Sequence, residues 1–228
     1  IGRREALVGL LAASAAAACR SKEGAPMSQS TLPTLYLPHG GGPCFFMDWT
    51  MGPKNTWDRM AAWLGGIDAN LPARPKALLV ISAHWEEPTV TVTSGESSSL
   101  LYDYYGFPKH TYELTWPAKG SPEVASRARA LLEAAGIASS ADTSRGLDHG
   151  VFVPLKVSYP QANLPTVQLS LRTGLDPSEH LAVGRALAPL RDEGVFIVGS
   201  GMSYHNMRAF MSGPAKTHSE RFDKWLAE

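Results

Sequence analysis

The chain has 228 residues, with 21 Lys+Arg balanced by 21 Asp+Glu, 44% hydrophobic residues and 18% charged. That is the composition of a globular domain. A zero net charge without a basic run excludes a nucleic-acid binder, because neutralising phosphates needs a local excess of Lys and Arg, and two cysteines exclude a disulfide scaffold.

The first 30 residues read as an address and a tether. Arg3 and Arg4 form a twin-arginine pair. Residues 6–18 are apolar but too short to span about 30 Å of hydrocarbon as a helix, and they fit the apolar region of a signal peptide. Ala16-Ala17-Ala18-Cys19 is similar to a bacterial lipobox, which makes Cys19 the candidate lipidation site. The expectation is export by the twin-arginine route to the periplasm or to a membrane-anchored lipoprotein. The alternative is a start at Met27 and a cytoplasmic protein. Cys44, left without a partner, reads as a small buried apolar residue.

The body, residues 31–228, alternates short apolar runs with amphipathic stretches. Residues 32–37 read as a strand ending at Pro38-His39. Residues 56–64 read as a helix, with Trp57, Met60, Ala61 and Leu64 on one face. Residues 77–82 are nearly all apolar, as in a strand buried on both faces, and residues 89–93 alternate like a second strand. Ser121-Pro122-Glu123 opens a helix that Gly136 stops. Residues 166–171 form a strand, and Asp176-Pro177 opens a helix that runs to Arg191. Residues 195–198 form the last strand, and a final helix spans 219–226. This alternation predicts a single α/β domain, a mixed and largely parallel sheet with helices on both faces.

Four of the seven histidines share a setting. His39, His84, His149 and His205 each sit at a strand end or tight loop, three of them with glycine close by in Pro38-His39-Gly40, Asp148-His149-Gly150 and Gly199-Ser200-Gly201. In open α/β sheets, ligands bind outside the carboxyl ends of the strands. His39, His84 and His205 are therefore expected to converge there. Neutral imidazole is the commonest ligand for Zn, Fe and Cu and also moves protons near neutral pH. A metal site at the C-terminal edge of the sheet follows. His110, His180 and His218 have no comparable context.

Other chemistries fail on spacing. Gly40-Gly41-Gly42 lacks the third glycine of a dinucleotide fingerprint, which would fall at Phe45, and no phosphate-binding lysine follows it. Gly201-Met202-Ser203-Tyr204-His205 carries His where a nucleophile elbow needs Gly. No H-E-x-x-H pair is present.

Five segments in order carry a resemblance. They are Leu37-Pro38-His39-Gly40-Gly41-Gly42-Pro43, Ile81-Ser82-Ala83-His84-Trp85-Glu86 and Tyr102-Asp103-Tyr104-Tyr105-Gly106-Phe107-Pro108. The other two are Leu147-Asp148-His149-Gly150-Val151-Phe152-Val153-Pro154-Leu155 and Gly199-Ser200-Gly201-Met202-Ser203-Tyr204-His205-Asn206. Over residues 32–210 the chain resembles the class III extradiol ring-cleavage dioxygenases, in the branch similar to 4,5-DOPA dioxygenase and related to the catalytic subunit of protocatechuate 4,5-dioxygenase.

The resemblance implies a metal-dependent dioxygenase that opens the ring of a catechol-type substrate with O₂. It implies one non-haem Fe(II) per chain, with Zn²⁺ as the alternative. His39 and His84 fall at two metal-ligand positions. His205 falls at a metal-proximal position, either a further ligand or the acid/base residue. His149 falls where a histidine meets substrate. Trp85, Tyr102, Tyr104, Tyr105 and Phe107 are candidate pocket residues, with plain packing as the competing role. The family's further His or Glu ligand would lie beyond Glu228, so the catalytic domain is expected to be C-terminally incomplete and this chain alone not to be fully active. Two other readings stay open: a zinc hydrolase using the same imidazoles, and a metal-binding module without catalysis.

Overall fold

The computed structural model describes residues 31–209 and 212–228. The twin-arginine pair, the lipobox-like run and Cys19 lie outside the described residues.

Among the described residues six strands form one sheet: β1 (Thr34–Pro38), β2 (Ala77–Glu87), β3 (Val90–Thr93), β4 (Ser139–Asp142), β5 (Thr166–Arg172) and β6 (Val195–Gly201). Their spatial order is β1-β6-β2-β5-β3-β4. Every neighbouring pair is parallel except β3 with β5, which is antiparallel. The sheet is thus mixed and largely parallel, as the alternation of elements predicts.

Among the described residues five α-helices accompany it: α1 (Asp58–Gly65), α2 (Pro122–Ala134), α3 (His149–Ser158), α4 (Pro177–Leu187) and α5 (Gly213–Ala227). Side chains alternate across a strand, and the core splits accordingly. Leu78 and Val80 of β2, with Phe196 and Val198 of β6, pack against Leu64 of α1 and Val151, Phe152 and Leu155 of α3. Leu79 of β2 and Val167 and Leu169 of β5 pack on the opposite face against Ala125, Ala128 and Leu132 of α2 and Leu187 of α4.

The helix boundaries follow from local chemistry. The Ser121 hydroxyl accepts a hydrogen bond from the Val124 amide at 3.2 Å, and Pro122 takes the first helical position. Asp176 caps α4 in the same way, accepting from the Ser178 and Glu179 amides. α4 ends at Leu187 and continues as a 3-10 turn, Ala188–Arg191, so the single helix expected to Arg191 is two pieces.

β2 runs past Ser82 to Glu87, and its register against β5 shifts between Ile81 and Glu86. His84 sits in this irregular stretch. Bulges of this kind re-aim side chains and recur beside active sites. α3 and β4 are elements that sequence patterning does not indicate. The last helix begins at Gly213, earlier than patterning suggests.

Candidate metal centre

His39 directly follows β1, His84 lies in the irregular part of β2, and His149 opens α3. The backbone turns sharply after His39, with Gly42 at φ +54°. A Cβ there would stand 2.7 Å from the Phe107 ring, so a larger residue would push that ring away.

These three imidazoles meet. One ring nitrogen from each lies within 4.8 Å of the other two. The Nε2 atoms of His39 and His84 are 3.0 Å apart. Two ligands each about 2.0–2.1 Å from one ion stand about 3 Å apart at right angles, so this pair has the separation that a shared ion needs. His39 and His149 are buried, whereas His84 faces solvent.

The surroundings keep His39 and His84 neutral. Burial, reinforced by the neighbouring His149, His84 and His205, pushes the His39 pKa down to about 3. Burial and His149 also lower that of His84. Neutral imidazoles have free lone pairs, and these donors suit Fe, Zn or Cu. The residues present therefore fit a metal ion.

Asp103 organises the cluster from outside. Its Oδ1 accepts hydrogen bonds from His149 Nδ1 at 2.8 Å and from the His149 amide at 2.9 Å. Its Oδ2 lies 3.8 Å from His84 Nδ1. Burial pushes the Asp103 carboxyl up, but the bonds and charge of His149 outweigh it and leave the pKa below the ordinary aspartate value.

A second carboxylate lies beneath. Asp148 is fully buried; it accepts hydrogen bonds from Ser82 Oγ at 2.7 Å and from the Gln168 side-chain amide, and Arg145 lies 3.5 Å away. Ser82 Oγ in turn accepts from the His84 amide at 3.2 Å. Asp148 thus helps to hold the backbone that presents His84.

The remaining expected residues are placed as follows. His205 is exposed on the loop after β6, outside the group of three, yet near enough for its charge to bear on His39 and His84. Tyr104 meets the His149 ring edge-on at 5.8 Å, and Phe107 packs against Tyr104 at 5.5 Å. Tyr102 stacks edge-on with Phe152 and donates its hydroxyl to the Leu114 carbonyl. Tyr105 is 91% exposed. Trp85 is buried, with the Arg145 guanidinium 4.5 Å above its ring. His180 accepts from the Arg172 amide and pairs with the Asp176 carbonyl, a structural role in α4. Cys44 is buried, which pushes its thiol up to about 12 and keeps it unreactive.

Asp103, Asp148 and Ser82 belong to this centre although histidine context alone does not reveal them. One signal was available: Asp103 is the lone acid among the tyrosines of residues 102–105.

Residues 33–228 match the family model described as the catalytic LigB subunit of aromatic ring-opening dioxygenase. "Dioxygenase tasH" of Hapsidospora irregularis is 43% identical over 184 residues, 79% of this chain and 56% of that protein. "4,5-DOPA dioxygenase extradiol" of Beta vulgaris is 45% identical over 156 residues, 67% of this chain and 58% of that protein. The chain thus spans little more than half the length of these relatives. The crystal structure of the uncharacterized protein JW3007 from Escherichia coli K12 superposes with a TM-score of 0.59 at 37% identity, covering 78% of this chain and 63% of that one. Family match, fold and histidine cluster agree: the chain belongs to the family of the catalytic LigB subunit of aromatic ring-opening dioxygenases.

Proposed function

We propose that the protein is a metal-dependent extradiol dioxygenase that opens the aromatic ring of a catechol-type substrate with O₂. The observation that carries this reading is the meeting of His39, His84 and His149 within 4.8 Å in a member of the ring-opening family. The Beta vulgaris relative named as a 4,5-DOPA dioxygenase supports a catechol as the substrate class.

His39 and His84 would hold one ion, with His149 or His205 beside it. Fe(II) is the metal this reading favours, with Zn²⁺ the alternative. When bound, the metal supplies positive charge that favours the ionised catechol and the redox chemistry that O₂ needs. His149 gives its Nδ1 proton to the bond with Asp103, which leaves Nε2 free as an acceptor. It is positioned to take the second catechol proton, and His205 is the other candidate for that step. The edge of Tyr104 on His149, with Phe107 behind, supplies an apolar wall for a flat ring. Both atoms of O₂ enter the product, and the bond between a hydroxylated ring carbon and its unhydroxylated neighbour breaks to give a ring-opened semialdehyde.

Residues 1–30 add a separate proposal, export by the twin-arginine route with lipid attachment at Cys19.

The experiment loads the full-length protein anaerobically with Fe(II) and adds catechols in air. Stoichiometric O₂ uptake with a yellow product is expected. Activity that needs no O₂ and is restored by Zn²⁺ would instead establish a hydrolase. Metal uptake without any turnover would establish a non-catalytic module.

A further inference from the structure

Ser200 lies at the end of β6, 3% exposed, on the sheet face that carries α3. Its hydroxyl touches two groups. One is the Gly150 main-chain carbonyl, and the other is His39 Nδ1 at 3.0 Å. A carbonyl oxygen can only accept, and a serine hydroxyl has one proton. That proton therefore goes to Gly150, and toward His39 the Ser200 oxygen offers only lone pairs. His39 must then carry its own proton on Nδ1.

The Gly150 carbonyl is available for a reason written in α3. In an α-helix, the carbonyl of residue 150 would accept from the amide of residue 154. Residue 154 is proline, inside the helix, and it has no N–H to give. The carbonyl so released is the one that Ser200 caps. Gly150 is also the only residue type that fits there. A Cβ would lie 2.5 Å from Ser82 Oγ and 3.1 Å from the His84 ring.

We propose that Ser200 is a positioning residue that locks His39 as the Nδ1–H tautomer, through a proton chain from His39 to Ser200 to the Gly150 carbonyl that Pro154 leaves unbonded. The chain turns the Nε2 lone pair of His39 toward His84 and His149. A ligating histidine ordinarily gives its second N–H to a fixed acceptor, which orients the ring and raises its basicity. Here that acceptor is a hydroxyl whose direction is set by one proline four residues along the helix. This inference rests on the reading of His39 as a ligand.

The test is the ¹⁵N shift pattern of the His39 ring in the metal-free, full-length protein, assigned by its loss in His39→Gln. The expected native pattern is a protonated Nδ1 and an unprotonated Nε2. Ser200→Ala should populate the other tautomer and weaken Zn²⁺ or Fe(II) binding, measured by chelator competition, about 10–100-fold. Ser200→Thr, which keeps the hydroxyl, should restore both. A native His39 protonated on Nε2 overturns the proposal without any variant. An unchanged tautomer in Ser200→Ala, with metal affinity within twofold, overturns it as well. Unchanged metal content in His39→Ala would refute the ligand reading separately, because the ring shifts report the tautomer whether or not His39 binds metal.

Discussion

Asp103 holds His149 twice with one oxygen, at 2.8 Å from the ring Nδ1 and at 2.9 Å from the main-chain amide. The second bond matters as much as the first. The amide opens α3, so the carboxylate fixes the start of the helix and the orientation of its first ring together. Asp103→Asn removes the charge but keeps the shape. It should lower turnover by about 10–100-fold, with a smaller loss of helix stability. Steady-state kinetics beside metal content checks this, and unchanged kcat would contradict it.

The neutral imidazoles make stability depend on pH. Burial and three neighbouring histidines hold His39 near pKa 3, against 6.5 in an unfolded chain, with Asp103 opposing. Between these values the unfolded state binds the extra proton. His39 therefore contributes stability that is fully present above pH 6.5 and is lost as the pH falls toward 3, at about 1.4 kcal/mol per pH unit. Asp103, with its lowered pKa, loses its contribution in the same direction, as the pH falls below the ordinary aspartate value. Denaturant unfolding of the metal-free protein across this range should show the slope, and His39→Gln should reduce it.

Gly150→Ala should disturb the centre without replacing a ligand. The new methyl would meet Ser82 Oγ at 2.5 Å, Asp148 Oδ1 at 3.1 Å and His84 Cδ2 at 3.1 Å. Overpacking of this sort costs about 1–3 kcal/mol. Thermal unfolding and metal titration should both report it, with the metal lost from the His84 side.

Asp148→Ala should be the most damaging of these changes. Asp148 is fully buried and shared by Ser82, Gln168 and Arg145. Arg145 already has an unpaired buried Nε. Taking away one partner of a buried ion pair costs about 3–5 kcal/mol. Urea unfolding measures this directly, and a loss below about 1 kcal/mol would contradict the role given to Asp148.

Much of the fold is legible in the amino-acid order, for physical reasons. The apolar stretch of β2 reads as a strand because both its faces are covered, by the α3 side and the α2 side. α2 and α4 announce themselves through Ser121-Pro122 and Asp176-Pro177. α3 does not. Gly150, Val151, Val153 and Pro154 are poor helix formers, and eight of its ten residues are buried, which erases the helical period. Packing overrides propensity there. β4 is short and half-exposed, so no apolar pattern marks it.

The site was legible through its histidines and less so through their supports. His39 and His84 converge as their strand-end positions suggest, and His149 joins them as closely. His205 stays on an exposed loop. Asp103 and Ser200 act through hydrogen bonds across 46 and 161 residues of chain. No local pattern encodes contacts at such separations.

The most direct test of the ring-opening account is O₂ consumption by the full-length, Fe(II)-loaded protein with a catechol, compared with its His39→Ala and His84→Ala variants. The account predicts one O₂ consumed per ring opened, and neither metal nor uptake in either variant. Full metal content in both variants, or no uptake by the loaded native protein across a panel of catechols, would contradict it.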